Sequence, residues 1–128
     1  MRFLLDTHTL LWWLAGDQRM SGAVRAAIID EANTVVVSAA SIWEIATKSR
    51  IGKLPGIAAI AHRIPEVLAD ERFEAVGISP REAHRAGWLA GHHRDPFDRM
   101  LVAQALELGL PIATRDAALK QLGATTFW

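Results

Sequence analysis

The chain has 128 residues, 51% of them hydrophobic, which is enough for the core of one domain and excludes a disordered or fibrous protein. Lysine plus arginine (14) equals aspartate plus glutamate (14), so bulk coating of nucleic acid is excluded, while brief, site-directed contact with RNA or DNA is allowed. The absence of cysteine excludes disulfides and thiolate chemistry and predicts a cytoplasmic protein. No apolar run is long enough for a signal peptide or a membrane span.

Short apolar runs alternate with longer stripes of helical period, which predicts an α/β fold with a parallel sheet and one domain over residues 1–128. The five predicted strands are Phe3–Asp6, Thr34–Val37, Glu74–Ile78, Pro111–Ala113 and Ala124–Phe127. The seven predicted helices are Thr9–Ala15, Ser21–Asp30, Ala39–Arg50, Ile57–Ala69, Pro80–Ala90, Pro96–Leu108 and Asp116–Leu122. Neither a repeat nor a long linker divides the chain.

Four acidic residues occupy positions that this topology brings to one edge of the sheet. Asp6 ends the first strand and Asp116 follows the fourth. Glu44 and Asp98 lie early in the third and sixth helices. In a parallel sheet these helices start at the carboxyl edge, where ligands bind at the point where the strand order reverses. We therefore expect the four carboxylates to converge.

Helix capping is an alternative explanation for each acid taken alone, because orphan backbone N–H groups favour carboxylates at helix starts. Asp6 and Asp116 each precede a helix, and Ser41-Ile42-Trp43-Glu44 matches a capping box. Lys48 stands four residues after Glu44 and is a candidate ion-pair partner.

The carboxylates as a set favour a divalent metal, because crowded acids repel one another unless a cation lies between them. Ligands that are all oxygen, without cysteine or a zinc-type histidine pair, fit Mg²⁺ or Mn²⁺ and the hydrolysis of phosphodiesters. In Asp95-Pro96-Phe97-Asp98, we interpret Asp98 as a ligand and Asp95, directly before the proline, as the helix cap in a supporting role.

Five motifs, in order along nearly the whole chain, resemble the PIN-domain family and its VapC-type toxin ribonucleases. They are Leu4-Leu5-Asp6-Thr7-His8, the tryptophan pair in Leu10–Leu14, WEIATK at 43–48 followed by Gly52-Lys53-Leu54, DPFDRMLVAQA at 95–105, and TRD at 114–116. The combination of WEIATK, DPFDRMLVAQA and TRD makes a chance match improbable.

This resemblance implies a three-layer α/β/α domain with sheet order 3-2-1-4-5 and a metal-dependent endoribonuclease that a cognate antitoxin inhibits. The acidic quartet of the family falls on Asp6, Glu44, Asp98 and Asp116, which are all present. Asp6 and Asp98 are the first choices for direct Mg²⁺ or Mn²⁺ ligands, completed by Glu44 and Asp116. Asp95 and Thr114 match supporting positions. The general base and the number of ions stay open.

Three arginines beside these acids, Arg94, Arg99 and Arg115, are candidate contacts for RNA phosphates, and ion pairing with the carboxylates is their alternative role. The adjacent Trp12 and Trp13 point about 100° apart on a helix, so either both are buried within one chain or one lies at an antitoxin or homodimer interface. Trp43, Trp88 and Trp128 are predicted to pack in the core or at its edge.

Three other function classes compete with this interpretation. A receiver domain needs an acidic pair after the first strand, and a haloacid-dehalogenase-type phosphatase needs Asp-x-Asp there; Asp6-Thr7-His8 provides neither. A PIN-fold binding module that sequesters RNA or a protein without cleaving it keeps the same residues, and only the loss of cleavage on substitution of Asp6 or Asp98 separates it from an enzyme.

Overall fold

The computed structural model describes residues 1–128 as a five-stranded sheet with helices on both faces. The strands are β1 (Arg2–Leu5), β2 (Thr34–Ser38), β3 (Glu74–Val76), β4 (Ile112–Ala113) and β5 (Thr126–Phe127). The helices are α1 (Thr7–Ala15), α2 (Gly22–Ile29), α3 (Ala39–Arg50), α4 (Ile64–Asp70), α5 (Pro80–Trp88), α6 (Pro96–Leu108) and α7 (Ala117–Gln121). None of these helices combines the length and the apolar character needed to cross a membrane.

All strand pairs are parallel, and the order β3-β2-β1-β4-β5 confirms the predicted sheet. Leu4 of the central β1 pairs with Val36 of β2 on one side and with Ile112 of β4 on the other. The chain leaves β1 toward β2 and reaches β4 on the opposite side only much later. The carboxyl end of β1 is therefore the point of reversal at which such sheets bind ligands.

Two hydrophobic cores, one on each face of the sheet, explain the three layers. Phe3 and Leu5 of β1 point into a core formed with α1 to α4, whereas Leu4 points into a second core beneath α6 and α7. Each of these side chains is fully buried, as expected of a central parallel strand covered on both faces. Because side chains of β1 are buried in both cores, the residues that follow this strand have fixed positions.

The predicted helix Ile57–Ala69 is wrong in its first half. The segment contains two short 3-10 turns, Pro55–Ile57 and Ala61–Arg63, and a regular helix begins only at Ile64. Pro65 lies in the first turn of α4, the part of a helix where its missing N–H costs no hydrogen bond.

The capping box predicted at Ser41-Ile42-Trp43-Glu44 is also wrong. The residue that caps α3 is Ser38, the last residue of β2, whose hydroxyl accepts from the Ala40 N–H at 2.9 Å. Ser41 lies inside the helix, where its hydroxyl bonds to that of Thr7 at 2.9 Å. This buried contact joins the starts of α1 and α3 at the carboxyl edge of the sheet.

Candidate active site

Asp6 lies at the junction of β1 and α1, and both of its carboxylate oxygens are occupied. Oδ1 accepts from the Thr9 N–H at 2.7 Å, the capping contact that the sequence predicted, and Oδ2 accepts from the Thr114 hydroxyl. The Thr114 oxygen in turn accepts from the Asp116 N–H at 3.0 Å. One buried hydroxyl thus holds the end of β1 against the segment that follows β4.

Asp116 caps α7 through its Oδ1, which accepts from the Ala118 N–H at 2.9 Å, and its side chain is exposed. Asp6 and Asp116 line the same cavity, of about 310 Å³, together with His8, Trp12 and Arg115. Both capping explanations are therefore confirmed, and both carboxylates still face one open space. Capping and ligand binding are compatible because a carboxylate has more acceptor sites than one cap uses.

Glu44 has one oxygen without a hydrogen-bonding partner. Its side chain, on the second turn of α3, is 3% exposed. Oε2 forms the predicted ion pair with Lys48, whereas Oε1 is buried and accepts no hydrogen bond. A buried charged acceptor without a partner is costly, so this oxygen marks a place where a cation or a donor would lower the free energy.

Asp98 lies in the first turn of α6, which Asp95 caps by accepting from the backbone N–H groups of residues 97 and 98. Burial raises the pKa of Asp98, and the charges of Asp95 and Glu44 add to that rise, while a 2.8 Å contact with His93 Nε2 opposes it. The negative charges of α3 and α6 thus act on one another. The contact of His93 with Asp98 could not be read from the sequence.

The four carboxylates form two pairs. Asp6 and Asp116 are joined through Thr114, and Glu44 acts on Asp98 through its charge. As the side chains stand, no three histidine, aspartate or glutamate residues are close enough to enclose a metal ion. The donors nevertheless suit a hard divalent cation: they are carboxylate oxygens, one of them is buried without a partner, and burial, together with the neighbouring negative charges, raises the pKa of Asp98.

The three candidate arginines have different surroundings. The Arg99 guanidinium donates to the backbone carbonyls of Ala86, Leu89 and His93, so it holds the turn between α5 and α6. Arg94 is exposed and forms no ion pair. The Arg115 guanidinium carbon lies 4.6 Å from the centre of the Trp12 ring, at the cavity shared by two of the acids.

The tryptophans correct another expectation. Trp43 and Trp88 are 65% and 79% exposed, so their predicted packing in the core or at its edge is wrong. Trp12 and Trp13 are partly buried and pack against the core formed with α1 to α4, which we call the α1-side core. Trp128 contacts Trp12 edge to face, with ring centres 5.6 Å apart. The chain alone therefore covers much of both adjacent tryptophans.

Residues 3–124 match the PIN domain family, and the chain belongs to this family, as its motifs predicted. Ribonuclease VapC22 of Mycobacterium tuberculosis (strain ATCC 25618 / H37Rv) is 32% identical over 118 residues, which are 91% of this chain and 88% of the relative. The resemblance to VapC-type ribonucleases is thereby confirmed over nearly the whole chain.

Two solved structures share the fold at low sequence identity. The structure of VapBC2 from Rickettsia felis, bound to a DNA fragment from its promoter, gives a TM-score of 0.72 at 14% identity and covers 99% of this chain and 98% of that one. FitAcB from Neisseria gonorrhoeae gives a TM-score of 0.70 at 19% identity, with 100% and 97% covered. At such identities the likeness extends to the fold alone.

Proposed function

We propose that the protein is the toxin of a toxin–antitoxin pair and acts as a metal-dependent endoribonuclease. The observation that carries the proposal is the two carboxylate pairs, Asp6 with Asp116 and Glu44 with Asp98, of which Glu44 has a buried, unpartnered oxygen and Asp98 a raised pKa. The similarity to a ribonuclease over 91% of the chain supports RNA as the substrate class. Phosphodiester hydrolysis is the chemistry for which such an oxygen-only donor set is suited.

Asp6 and Asp98 would hold the ion directly, and Glu44 and Asp116 would complete its oxygen shell. In that position Mg²⁺, or Mn²⁺ as the alternative, would supply a lowered pKa for a water molecule and positive charge to offset that of the phosphodiester. The buried Glu44 Oε1 is an acceptor suited to the proton of the attacking water. Lys48 forms an ion pair with the second oxygen of Glu44, Oε2.

The supporting residues fix these carboxylates. Thr114 holds Asp6 through its hydroxyl, and Asp95 starts the helix that carries Asp98. Arg94 and Arg115 would bind RNA phosphates, since neither forms an ion pair within the chain. Arg99 would act through the backbone of residues 89–93, because its donors are directed to carbonyls there and at Ala86.

The proposed partners are a VapB-type antitoxin, an RNA substrate and a second copy of the chain. The structural neighbours VapBC2 and FitAcB support an antitoxin as the protein partner. The exposed Trp43 and Trp88 supply large apolar surfaces of the kind that protein contacts use. An RNA substrate and a chain without cysteine fit a cytoplasmic protein.

The test is cleavage of a mixed cellular RNA pool by purified, antitoxin-free protein in parallel with Mg²⁺, Mn²⁺ and excess EDTA. We expect discrete products from the wild type with either metal and none in EDTA. Asp98→Asn should lose at least about 100-fold in rate, since it removes a ligand charge. Asp70→Asn, an exposed aspartate in α4, is the matched control and should cleave normally.

Two results would contradict the proposal. Equal cleavage by wild type and Asp98→Asn would indicate a contaminating nuclease or a different site. No cleavage under any condition by folded protein would favour a PIN-fold module that binds RNA or a protein without cleaving it.

A further inference from the structure

A groove continues from the candidate active site along α1. One cavity, of about 310 Å³, is lined by Asp6 and Asp116 at one end and by His8 and Trp12 at the other. A second cavity, of about 300 Å³, is lined by the same His8 and Trp12 and extends past Arg19 to Lys53. Because the two cavities share His8 and Trp12, they are neighbours on the surface, and we call them together the Trp12 groove.

The Trp12 groove contains two cations that form no ion pair with a carboxylate of the chain. Arg115 lies over the indole of Trp12, with its guanidinium carbon 4.6 Å from the ring centre, and forms no ion pair. Lys53 is exposed and also forms no ion pair. Neither cation is committed to folding, so both are available to an anionic ligand.

The third cation at the groove, Arg19, is different because it is paired. Its guanidinium lies 5.2 Å from the Trp12 ring centre and forms a 2.7 Å ion pair with Asp17. Hydrogen bonds from Arg19 lower the pKa of Asp17 to about 2, so this carboxylate is ionised at every pH at which the protein would work. Arg19 therefore contacts the indole as one half of an ion pair, and Arg115 and Lys53 are the cations of the groove that a phosphate could contact without breaking an ion pair.

We propose that the Trp12 groove binds the phosphate backbone of single-stranded RNA next to the cleaved bond, with Arg115 on the nearer phosphate and Lys53 on a phosphate further along. The inference rests on the proposed ribonuclease function, because the groove is assigned its ligand by its opening onto Asp6 and Asp116. Positive grooves combined with aromatic side chains are a common means of binding single strands without reading their sequence.

Trp12 acts in this scheme as a positioning residue. The ring limits the directions in which the long Arg115 side chain can point, because a guanidinium is attracted to the face of an indole. A fixed guanidinium loses less conformational freedom when it binds a phosphate. The indole itself is held by Trp128 and by the α1-side core.

The experiment measures binding of a single-stranded oligoribonucleotide to Asp98→Asn protein in EDTA, over a series of salt concentrations. The Asp98→Asn background prevents cleavage and leaves every residue of the Trp12 groove in place. We expect Arg115→Ala and Lys53→Ala each to reduce the slope of log affinity against log salt by about 0.7, the value for one lost phosphate contact to a single strand. Arg81→Ala, an exposed and unpaired arginine on α5, is the control and should leave the slope unchanged.

Trp12→Leu tests the positioning role. We expect it to weaken binding about threefold or more when Arg115 is present and to have no effect in the Arg115→Ala background, whereas Trp12→Phe should retain most of the affinity. Thermal unfolding of each variant checks that the fold survives, and Trp12→Phe keeps the test valid if the leucine variant unfolds.

Unchanged slopes in both Arg115→Ala and Lys53→Ala, or an equal loss in Arg81→Ala, would overturn the inference and leave the Trp12 groove to a protein segment. Cleavage by wild-type protein is measured separately. Cleavage with unchanged slopes refutes the groove alone, whereas the expected slopes without cleavage refute the enzymatic proposal alone.

Discussion

The two halves of the candidate site treat their carboxylates in opposite ways. Around Asp6 the fold supplies a hydrogen bond to each oxygen, from a backbone N–H and from the Thr114 hydroxyl. Around Glu44 and Asp98 it leaves one buried oxygen without a donor and raises the pKa of the other acid by burial and by neighbouring charge. The half of the site around Asp6 is stabilised by the chain's own hydrogen bonds, whereas a bound cation would lower the free energy of the half around Glu44 and Asp98.

Asp6 therefore stabilises the fold, whereas Glu44 and Asp98 are present at a cost to its stability. A group that destabilises the folded state and persists there is a candidate for function. Substitutions of these acids should therefore differ in their effects. Replacing Asp6 should lower both activity and stability, whereas removing the charge of Asp98 should lower activity and raise stability.

The largest effect is expected for Asp6→Ala. The variant loses the cap of α1, worth about 1 kcal/mol, and leaves the buried Thr114 hydroxyl without its acceptor, at a further cost of about 1–2 kcal/mol. RNA cleavage should fall by at least about 100-fold as a ligand disappears. Urea unfolding and the RNA-pool assay measure the two losses, and a variant as stable as wild type would contradict the structural half of the prediction.

Asp98→Asn should lose activity to a similar degree but gain stability in EDTA at neutral pH. Because the pKa of Asp98 is raised, the folded protein holds this proton to a higher pH than the unfolded chain does. The penalty for the charge is absent below the pKa of the unfolded carboxyl, about 3.9, and grows as the pH rises through the folded value. Thermal midpoints across pH should therefore converge at low pH, and saturating Mg²⁺ should stabilise only the wild type. A lower midpoint of the variant at neutral pH would contradict this.

Lys48→Met tests whether Glu44 depends on its ion pair. The substitution keeps the apolar stem but leaves a buried carboxylate without its cation, and we expect a loss of about 1–2 kcal/mol, less than for a fully buried pair because Lys48 is 35% exposed. Mg²⁺ should reverse part of the loss, because it supplies positive charge to the same carboxylate. A loss that is identical with Mg²⁺ and with EDTA would mean that the ion does not reach Glu44.

Thr114→Val is nearly isosteric and removes only the hydroxyl that links Asp6 to Asp116. We expect about 1 kcal/mol of destabilisation and about a tenfold loss of cleavage, since Asp6 keeps its charge and loses its orientation. Thr114→Ser retains the hydroxyl and should restore most of the activity. If Thr114→Ser is as impaired as Thr114→Val, the methyl group and not the hydrogen bond is what matters.

Hydrophobic periodicity predicted the parallel sheet, and the resemblance to the PIN-domain family, carried by motifs at fixed spacing, implied the order of its strands and the four acids. The sequence also predicted the caps at Asp6, Asp95 and Asp116, which are local interactions. It did not predict that His93 contacts Asp98 or that Glu44 Oε1 lies unpartnered, because both depend on how separate elements pack. The exposure of Trp43 was missed for the same reason, since a large apolar side chain in a helix predicts burial unless its neighbours are known.

The smallest effect is expected for an ion pair far from the site, which serves as the reference for Lys48 and Glu44. Arg2 and Glu74 connect β1 to β3 at 2.7 Å, with side chains 40% and 42% exposed. Hydrogen bonding to Arg2 lowers the pKa of Glu74, so the pair stabilises the fold above the unfolded pKa of the carboxyl and loses that contribution as the pH falls through the folded value. Water and salt screen charges this exposed, so Glu74→Gln should cost at most about 0.5 kcal/mol, and less in high salt.

Urea unfolding in EDTA compares this loss of stability with that of Lys48→Met. The difference between the two losses isolates the contribution of burial to the pair of Lys48 and Glu44. Equal losses would mean that Glu44 is as well solvated as Glu74.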